Sequence, residues 1–599
     1  MTATPRTLCE AFARTCVAHP DKVALRDHAG RLALTWREYA EQVQALATGL
    51  SGLGVRRGDT VALMMGNRPE FHLVDTAVLH LGAIPFSVYN TLAADQVTYV
   101  FSNAENTVVI CEPEYLDKIR TADTTGQVKH IVCLEPTDPA AVADVDRSGT
   151  LTLAELAATP DPDFDFEASW RAVEPSDLAT IIYTSGTTGP PKGVESTHAN
   201  VIAEFSALDA YLATGPEDVI ISYLPDAHIA NRGACHYNSL IRGIEIVTVD
   251  NPKALITALP AVRPTVHIAV PAIWYKVKAG LENTLAAETG LKAKLAQWAV
   301  ATGGKVAQAR TTGQPVSPLL RVQHVVADKL VLSKVRAKVG LDRMRIAVTG
   351  AAPISPDALA FIMGLGLEVC EMWGMSETSG AVTVNPPGKV KLGTVGTVLP
   401  GGTEIKRAAD GELLVRGPLV MKGYRDEPEK TAEAIDADGW LHTGDIATID
   451  AEGYVKIVDR KKEIIINAAG KNMSPSNIEG AIKVACPLVL TAVAIGDDKP
   501  YVSALLTLDP DACAAYAAAH GLPDGSVAAL AADPSVQKLL EAGIAQANAK
   551  LARVEQVKKF KVLADVWEPG GGELTPTMKL KRRPIADKYA EAIEELYRK

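Results

Sequence analysis

The sequence predicts an α/β protein: a large N-terminal part built from parallel α/β subdomains and a β-rich subdomain, followed by a small C-terminal α/β part. Three observations predict it. Roughly the first 400 residues alternate short apolar runs with helical patterns, as a parallel sheet with crossover helices requires. From about Gly401 the pattern shortens to a two-residue period broken by Asp410-Gly411 and Glu452-Gly453, which reads as hairpins. After residues 466–482 helical and strand patterns resume on a smaller scale.

In chain order, GDTVALMMGN (58–67) reads as a turn leading into a strand, and EFHLVDTAVLHLGA (70–83) as an amphipathic helix ended by Gly82. NTVVICE (106–112) is another strand, and the apolar run from Leu178 to Tyr183 is a buried one. RIAVTGAAPISPDALAFIMG (345–364) is a strand, a Gly-Ala turn, then Ser355 as N-cap with Pro356 in the first helical position. Such a strand-to-helix turn lies at the carboxyl edge of an open α/β sheet, where ligands bind. The Ala-rich stretch from Asp511 to Leu551 reads as helix because Leu530, Leu539, Leu540 and Ile544 recur at near-helical spacing. There is no internal repeat.

Composition narrows the function classes. At 599 residues, 47% hydrophobic and 22% charged, the chain is an ordinary globular protein with room for at least two domains. The first residues, MTATPRTLCEAFARTC, lack an apolar core of signal-peptide length, and no apolar run reaches membrane-spanning length, so a cytoplasmic location is expected. Eight scattered cysteines with no C-x-x-C pair read as reduced core thiols. A net charge of −11 argues against a nucleic-acid binder. The acidity is unevenly placed: from Asp459 onward there are 19 Lys and Arg against 18 Asp and Glu. The basic residues of that tail cluster at 459–462, Lys471 and KLKRR (579–583), as a segment that must meet anions would have them.

The stretch YTSGTTGPPKGV (183–194) concentrates glycines and hydroxyls ahead of one lysine. Gly, Ser and Thr let successive backbone N–H groups converge on an anion, and Lys192 adds a point charge, so the segment is suited to phosphate. Lys192 follows Pro190-Pro191 and precedes Gly193, whereas a Walker loop needs Gly-Lys followed by Ser or Thr, which excludes a P-loop NTPase. Four further stretches bear on the same ligand. EMWGMSET (371–378) offers Trp373 to stack on a base and Glu377 to hold Mg²⁺. WLHTGD (440–445) ends in Asp445, an acceptor for paired ribose hydroxyls. YLPDAHIANR (223–232) carries His228, and ELTPTMKLKR (573–582) carries Lys579.

In this order, over about Thr35 to Arg583, these stretches resemble the acyl-adenylate-forming superfamily of acyl-CoA synthetases, luciferases and peptide-synthetase adenylation domains. GKNMSPSNIE, GELTPTMKLKR and the long helical insertion between His228 and Gly350 are most similar to long-chain fatty acid CoA ligases. The resemblance implies a large adenylate-forming domain, 1–458, and a small mobile domain, 459–599, turning about a hinge at Asp459. It implies an acid–thiol ligase: carboxylate plus ATP gives acyl-AMP and pyrophosphate, then coenzyme A displaces AMP. Thr184, Ser185, Gly186, Thr187, Thr188, Gly189 and Lys192 would hold the β- and γ-phosphates, and Glu377 with Thr184 would hold Mg²⁺. Gly350, Ala351, Ala352, Trp373, Gly374 and Ser376 would line the nucleotide, with Asp445 and Arg460 on the ribose. Lys579 would bridge carboxylate and α-phosphate, His228 belongs to the same catalytic set, and Gly470 with Lys471 would face the pantetheine channel after the hinge turns.

The match departs from the long-chain pattern at Trp373, Asp226, Asn231, Ala272 and Tyr275, positions where tyrosine, an apolar residue, glutamate, arginine and an acidic residue are usual. Drift in a packing segment explains these; so does an altered acyl pocket. An aromatic or medium-chain acid, a carrier-protein acceptor, or an inactive ligand-binding relative are therefore the alternatives. The implied partners are small molecules; long-chain acids partition into bilayers, which allows peripheral membrane contact, yet no basic amphipathic helix stands out in the sequence.

Overall fold

The computed structural model describes residues 4–137, 139–184, 190–468, 471–575 and 577–598. Near the N-terminus a five-stranded sheet has the spatial order Ile84–Ser87, Thr60–Met64, Val108–Cys111, His130–Cys133, Leu151–Thr152. All of its pairings are parallel. The first three of these strands are buried along their whole length, which is why they read as continuous apolar runs rather than alternating ones. The helix Pro69–His80 differs from its expected amphipathic character: every residue but Glu70 is buried. Helices Leu8–Ala18 and Trp36–Gly52 pack on it from one side and strands of two sheets from the other, so no face is left for water.

The second sheet has nine strands. Its centre is parallel, in the order Val369–Met375, Ile346–Thr349, Val266–Ala269, Val219–Ser222, Glu245–Thr248, Val23–Asp27. The chain builds outward in one direction after Val219–Ser222 and in the other from Val266–Ala269, so the strand order reverses between these two neighbours. At such a switch point, loops leave the carboxyl ends on opposite faces and open a crevice. LPDAHIANR, VPAIWYK and GAAP each leave the carboxyl end of one of these adjoining strands.

Two antiparallel sheets wall the crevice. One pairs Glu404–Arg407, Glu412–Arg416, Leu441–Ile449 and Val455–Arg460, with Gly411 and Gly453 at positive φ in its turns, as hairpins of this length need. The other pairs Gly423–Tyr424, Lys192–Thr197 and Leu178–Thr184. After Arg460 come a ribbon, Ile465–Ile466 with Asn472–Met473, and a three-stranded sheet of Val489–Ile495, Val502–Leu508 and Val557–Val562. Helices Pro475–Ala485 and Pro534–Lys550 cover that sheet around a core of its own, including Ile478, Ile482, Leu506 and Leu540. The Asp511–Leu551 stretch is helical, in three segments. All eight cysteines are free and all but Cys16 buried. No helix among the described residues is long and apolar enough to cross a membrane.

Candidate active site

The two ends of the phosphate-loop stretch face each other as cross-strand partners, Thr184 opposite Lys192, and the Thr184 hydroxyl donates to the Lys192 carbonyl at 3.4 Å. Ser185, Gly186, Thr187, Thr188 and Gly189 lie outside the described residues. The Lys192 ammonium sits 4.6 Å from the centre of the Tyr424 ring, a cation–π distance. The Tyr424 hydroxyl in turn donates to Glu377 Oε1 at 2.9 Å. Tyr424 was not singled out in the sequence; it arrives because Gly423–Tyr424 pairs with the strand that Lys192 opens.

Glu377 occupies a single 3₁₀ turn, Ser376–Thr378. The Thr378 hydroxyl donates to Met375 O at 3.0 Å and Gly380 O at 2.8 Å, and the Met421 N–H donates to the Glu377 carbonyl at 2.9 Å. A Cβ on Gly374 would stand 1.9 Å from the Gly380 carbonyl oxygen, so only glycine lets the chain fold back this closely. Ser376 is buried beneath the turn.

Asp445 and Arg460 are cross-strand partners and form an ion pair, Arg460 Nε to Asp445 Oδ1, at 2.8 Å. Trp373 Nε1 donates to the other carboxylate oxygen at 2.8 Å. Burial pushes the Asp445 carboxyl up, against the pull of Arg460, Trp373 and Lys579. Each carboxylate oxygen keeps a lone pair for a further donor. Gly350 ends strand Ile346–Thr349 where a Cβ would come within 3.1 Å of the Met372 side chain. Ala351 follows at φ +67°, a left-handed conformation that costs a non-glycine residue, and Ala351 and Ala352 are both exposed.

Lys579 reaches this place from near the far end of the chain. Its turn is closed by a bridge between Leu574 and Leu580; the Thr575 N–H donates to the Lys579 carbonyl at 2.8 Å, and the Lys579 N–H to the Thr575 hydroxyl at 3.0 Å. The residue is exposed to solvent, with charged groups of the large part within electrostatic reach. The surrounding protein and the Arg460 charge push its ammonium pKa down, against Asp445, Glu377 and Glu463. Burial and the same lysine push His228 down to about 4, so its imidazole is neutral at physiological pH. His228 Nδ1 accepts from the Ala230 N–H at 3.1 Å, which leaves Nε2 to carry the proton.

The Lys579 ammonium feels the charges of Arg460, Asp445 and Glu377, and His228 feels that of Lys579, so these residues lie within electrostatic reach of one another, with Trp373 bonded to Asp445 and Tyr424 to Glu377. Lys471 stands apart in its contacts, exposed beside the ribbon strand Asn472–Met473 and without an ion pair among the described residues; Gly470 lies outside them. Asp459 is buried and accepts from the Ser474 hydroxyl at 2.6 Å, from the Ser476 hydroxyl and N–H at 3.1 Å, and from the Arg460 N–H at 2.8 Å. These bonds tie the strand Val455–Arg460 to the start of helix Pro475–Ala485.

The departing positions are built in. Asn231 Nδ2 donates to Asp226 Oδ1 at 2.6 Å and to the Ser222 hydroxyl at 2.9 Å, while burial raises the Asp226 carboxyl to about 7. The Tyr275 hydroxyl accepts from the Ser355 N–H at 3.0 Å, and the Ser355 side chain makes no capping bond although the helix begins at Pro356 as expected. Sequence reasoning also missed a wholly buried polar set beneath the His228 segment: Arg232 pairs with Asp75, His236 Nε2 lies 2.9 Å from the other Asp75 oxygen, and His72 meets His236 at 3.0 Å. Burial alone would raise Asp75, yet Arg232 and His236 more than offset it. The members lie up to 164 positions apart, so no local pattern announces them.

Residues 12–425 match the family described as AMP-binding enzyme, and residues 462–599 match the AMP-binding enzyme C-terminal domain. The chain is 54% identical over 451 residues to fadD11 of Mycobacterium tuberculosis, covering 75% of this chain and 79% of that protein. It is 37% identical over 572 residues to the long-chain-fatty-acid–CoA ligase FadD15 of Mycobacterium bovis, covering 94% and 92%. Among solved structures, the adenylation domain of a carboxylate reductase from Mycobacterium chelonae superimposes with a TM-score of 0.77 at 21% identity, covering 100% of this chain and 92% of that one. The anthranilate CoA ligase AuaEII in complex with anthranoyl-AMP does so at 0.73 and 18%, covering 99% of both.

Proposed function

The chain belongs to the AMP-binding enzyme family, and we propose that it is an ATP-dependent fatty acid–CoA ligase acting in two steps on a long-chain acid. The observation that supports the reading is the Asp445 carboxylate held by Arg460 and by Trp373, each at 2.8 Å, with Lys579 of the C-terminal part within electrostatic reach of it. In the first step a carboxylate oxygen attacks the α-phosphorus of ATP, and the bond from that phosphorus to the bridging oxygen breaks to release pyrophosphate. Two anions must meet, so the main demand on the protein is positive charge at the point of attack. Lys579 supplies it, bridging carboxylate and α-phosphate, while His228 offers a neutral N–H beside it. No general base is needed, because a carboxylic acid is ionised at neutral pH.

Lys192 and the loop from Thr184 would hold the leaving phosphates; Trp373 and the bare backbone of Gly350, Ala351 and Ala352, with Gly374 and Ser376, would receive the adenine. The free lone pairs of Asp445, with Arg460, would take the ribose. Glu377 keeps one oxygen clear of Tyr424, and together with the Thr184 hydroxyl it fits Mg²⁺, an ion that takes one or two protein oxygens and fills its shell with water and phosphate. Bound there, the ion would neutralise charge building on the phosphates. In the second step the sulfur of coenzyme A attacks the acyl carbon, the bond to AMP breaks, and the thiol proton is lost to solvent. We place the domain junction at Asp459, about which residues 459–599 would turn to withdraw Lys579 and bring Gly470 and Lys471 to the thiol channel.

A mass-spectrometric product assay with ATP, Mg²⁺, coenzyme A and acids from acetate to oleate plus benzoate tests the reading. A dominant long-chain acyl-CoA is expected. A shorter or aromatic acyl-CoA would overturn the substrate, acyl-AMP without thioester would overturn the acceptor, and no product from any acid would overturn the enzyme.

A further inference from the structure

Seven of the sixteen large apolar side chains that stand exposed among the described residues fall between Leu291 and Leu330. Five of them form one surface. Leu319, Val322 and Val326 recur at spacings of three and four along helix Pro318–Ala327, Leu330 follows four positions later, and Val325 stands beside them. They are 69, 62, 43, 46 and 65% exposed in that order. Of the ten residues in the helix only Ala327 is buried. Its inner side rests on helix Gly290–Thr311; no element covers the outer one. Folding energetics offer no reason to hold five aliphatic side chains in water, and such a patch marks a contact surface.

Charge says what it contacts. Residues 289–338 contain nine Lys and Arg against one acid, Asp328, which Arg336 already pairs at 2.7 Å. This segment therefore carries a net charge of +8 in a chain whose total is −11. Arg321 and Lys329 lie on the same helical run as the apolar side chains, and both are exposed, as is Lys334 just beyond, while Lys338 pairs with Glu288 at 3.6 Å. We propose that this helical face is a docking surface for an anionic lipid bilayer, its aliphatic side chains entering the acyl boundary while the lysines and arginines meet lipid phosphates. Two copies of the face would repel each other through the same +8, which argues against self-association. The surface is a convex aliphatic helix without the Trp and Tyr anchors typical of protein interfaces. The contact is peripheral, since no described helix can span a membrane.

Flotation with vesicles tests this without reference to ligase activity, so it stands or falls apart from the proposed reaction. The intact protein is expected to float with vesicles of phosphatidylcholine containing phosphatidylglycerol, to remain below with pure phosphatidylcholine, and to be released by high salt. Leu319→Glu with Val322→Glu should cut the floating fraction by about tenfold or more with an unchanged melting temperature. Arg321→Glu with Lys329→Glu should abolish the preference for phosphatidylglycerol. Absence of flotation by the unaltered protein, equal flotation by both double variants, or a change in sedimenting mass with no change in flotation would each overturn the proposal, the last by assigning the face to a second copy.

Discussion

Asp226 shows how a single side chain couples the site's framework to pH. Burial lifts its carboxyl to about 7, against the pull of the Asn231 hydrogen bond, whereas in the unfolded chain it titrates near 4. The folded protein therefore holds this proton more tightly than the unfolded chain, and the associated stability is complete below about pH 4 and lost as pH rises toward 7. Replacing Asp226 by Asn removes the titration. The unfolding free energy of Asp226→Asn should gain on that of the unaltered protein as pH is raised from 4 to 7, by up to about 1.4 kcal/mol per pH unit, with no further gain above pH 7. A pH-independent difference would show that the carboxyl is not held neutral. At this scale the sequence singles out Trp373 and Glu377 because they share one short stretch, and the structure bonds them to Asp445 and Tyr424. The sequence was silent on Tyr424, whose bond to Glu377 spans 47 positions and exists only because two distant strands pair.

Elements were legible wherever one face meets water and the other the core. The hairpins after Gly401 and the strand, turn and helix of residues 345–364 appear as their patterns predict, because glycine and proline punctuate them. Helix Pro69–His80 was misread as amphipathic because burial on every side leaves no polar stripe to detect. Helix Pro318–Ala327 is the converse case, since apolar spacing that ordinarily faces a core here faces outward, and spacing alone does not tell the two apart. Packing between elements is equally invisible in sequence. A Cβ on Gly303 would lie 1.8 Å from the Gly364 carbonyl oxygen, where helix Gly290–Thr311 crosses Pro356–Gly364. Gly303→Ala should therefore force the helices apart and lower the melting temperature by several degrees, as overpacking costs about 1–3 kcal/mol; an unchanged melting curve would mean that this crossing is loose.

At the scale of the molecule the proposed two-step reaction calls for the two parts to meet in two poses, of which the structure holds one. The C-terminal part touches the large part through the Lys550–Asp357 ion pair and at Gly570, which has φ +79° and where a Cβ would come within 2.6 Å of the Thr91 carbonyl oxygen. Gly570→Ala should disfavour this pose alone: acyl-AMP formation should slow while thioester formation from supplied acyl-AMP persists, and equal slowing of both would show that the contact is general scaffolding. The two parts could be read from motifs in order along the chain, but their juxtaposition was implied by the resemblance alone, because no local pattern relates Lys579 to Glu377.

The most direct test of that juxtaposition is to measure the two half-reactions separately in Lys579→Ala. Acyl-AMP formation from acid and ATP should fall by about a thousandfold with the principal charge at the point of attack removed, while thioester formation from supplied acyl-AMP and coenzyme A is largely retained. Loss of both half-reactions in equal measure, or retention of adenylation, would contradict the proposed role of Lys579.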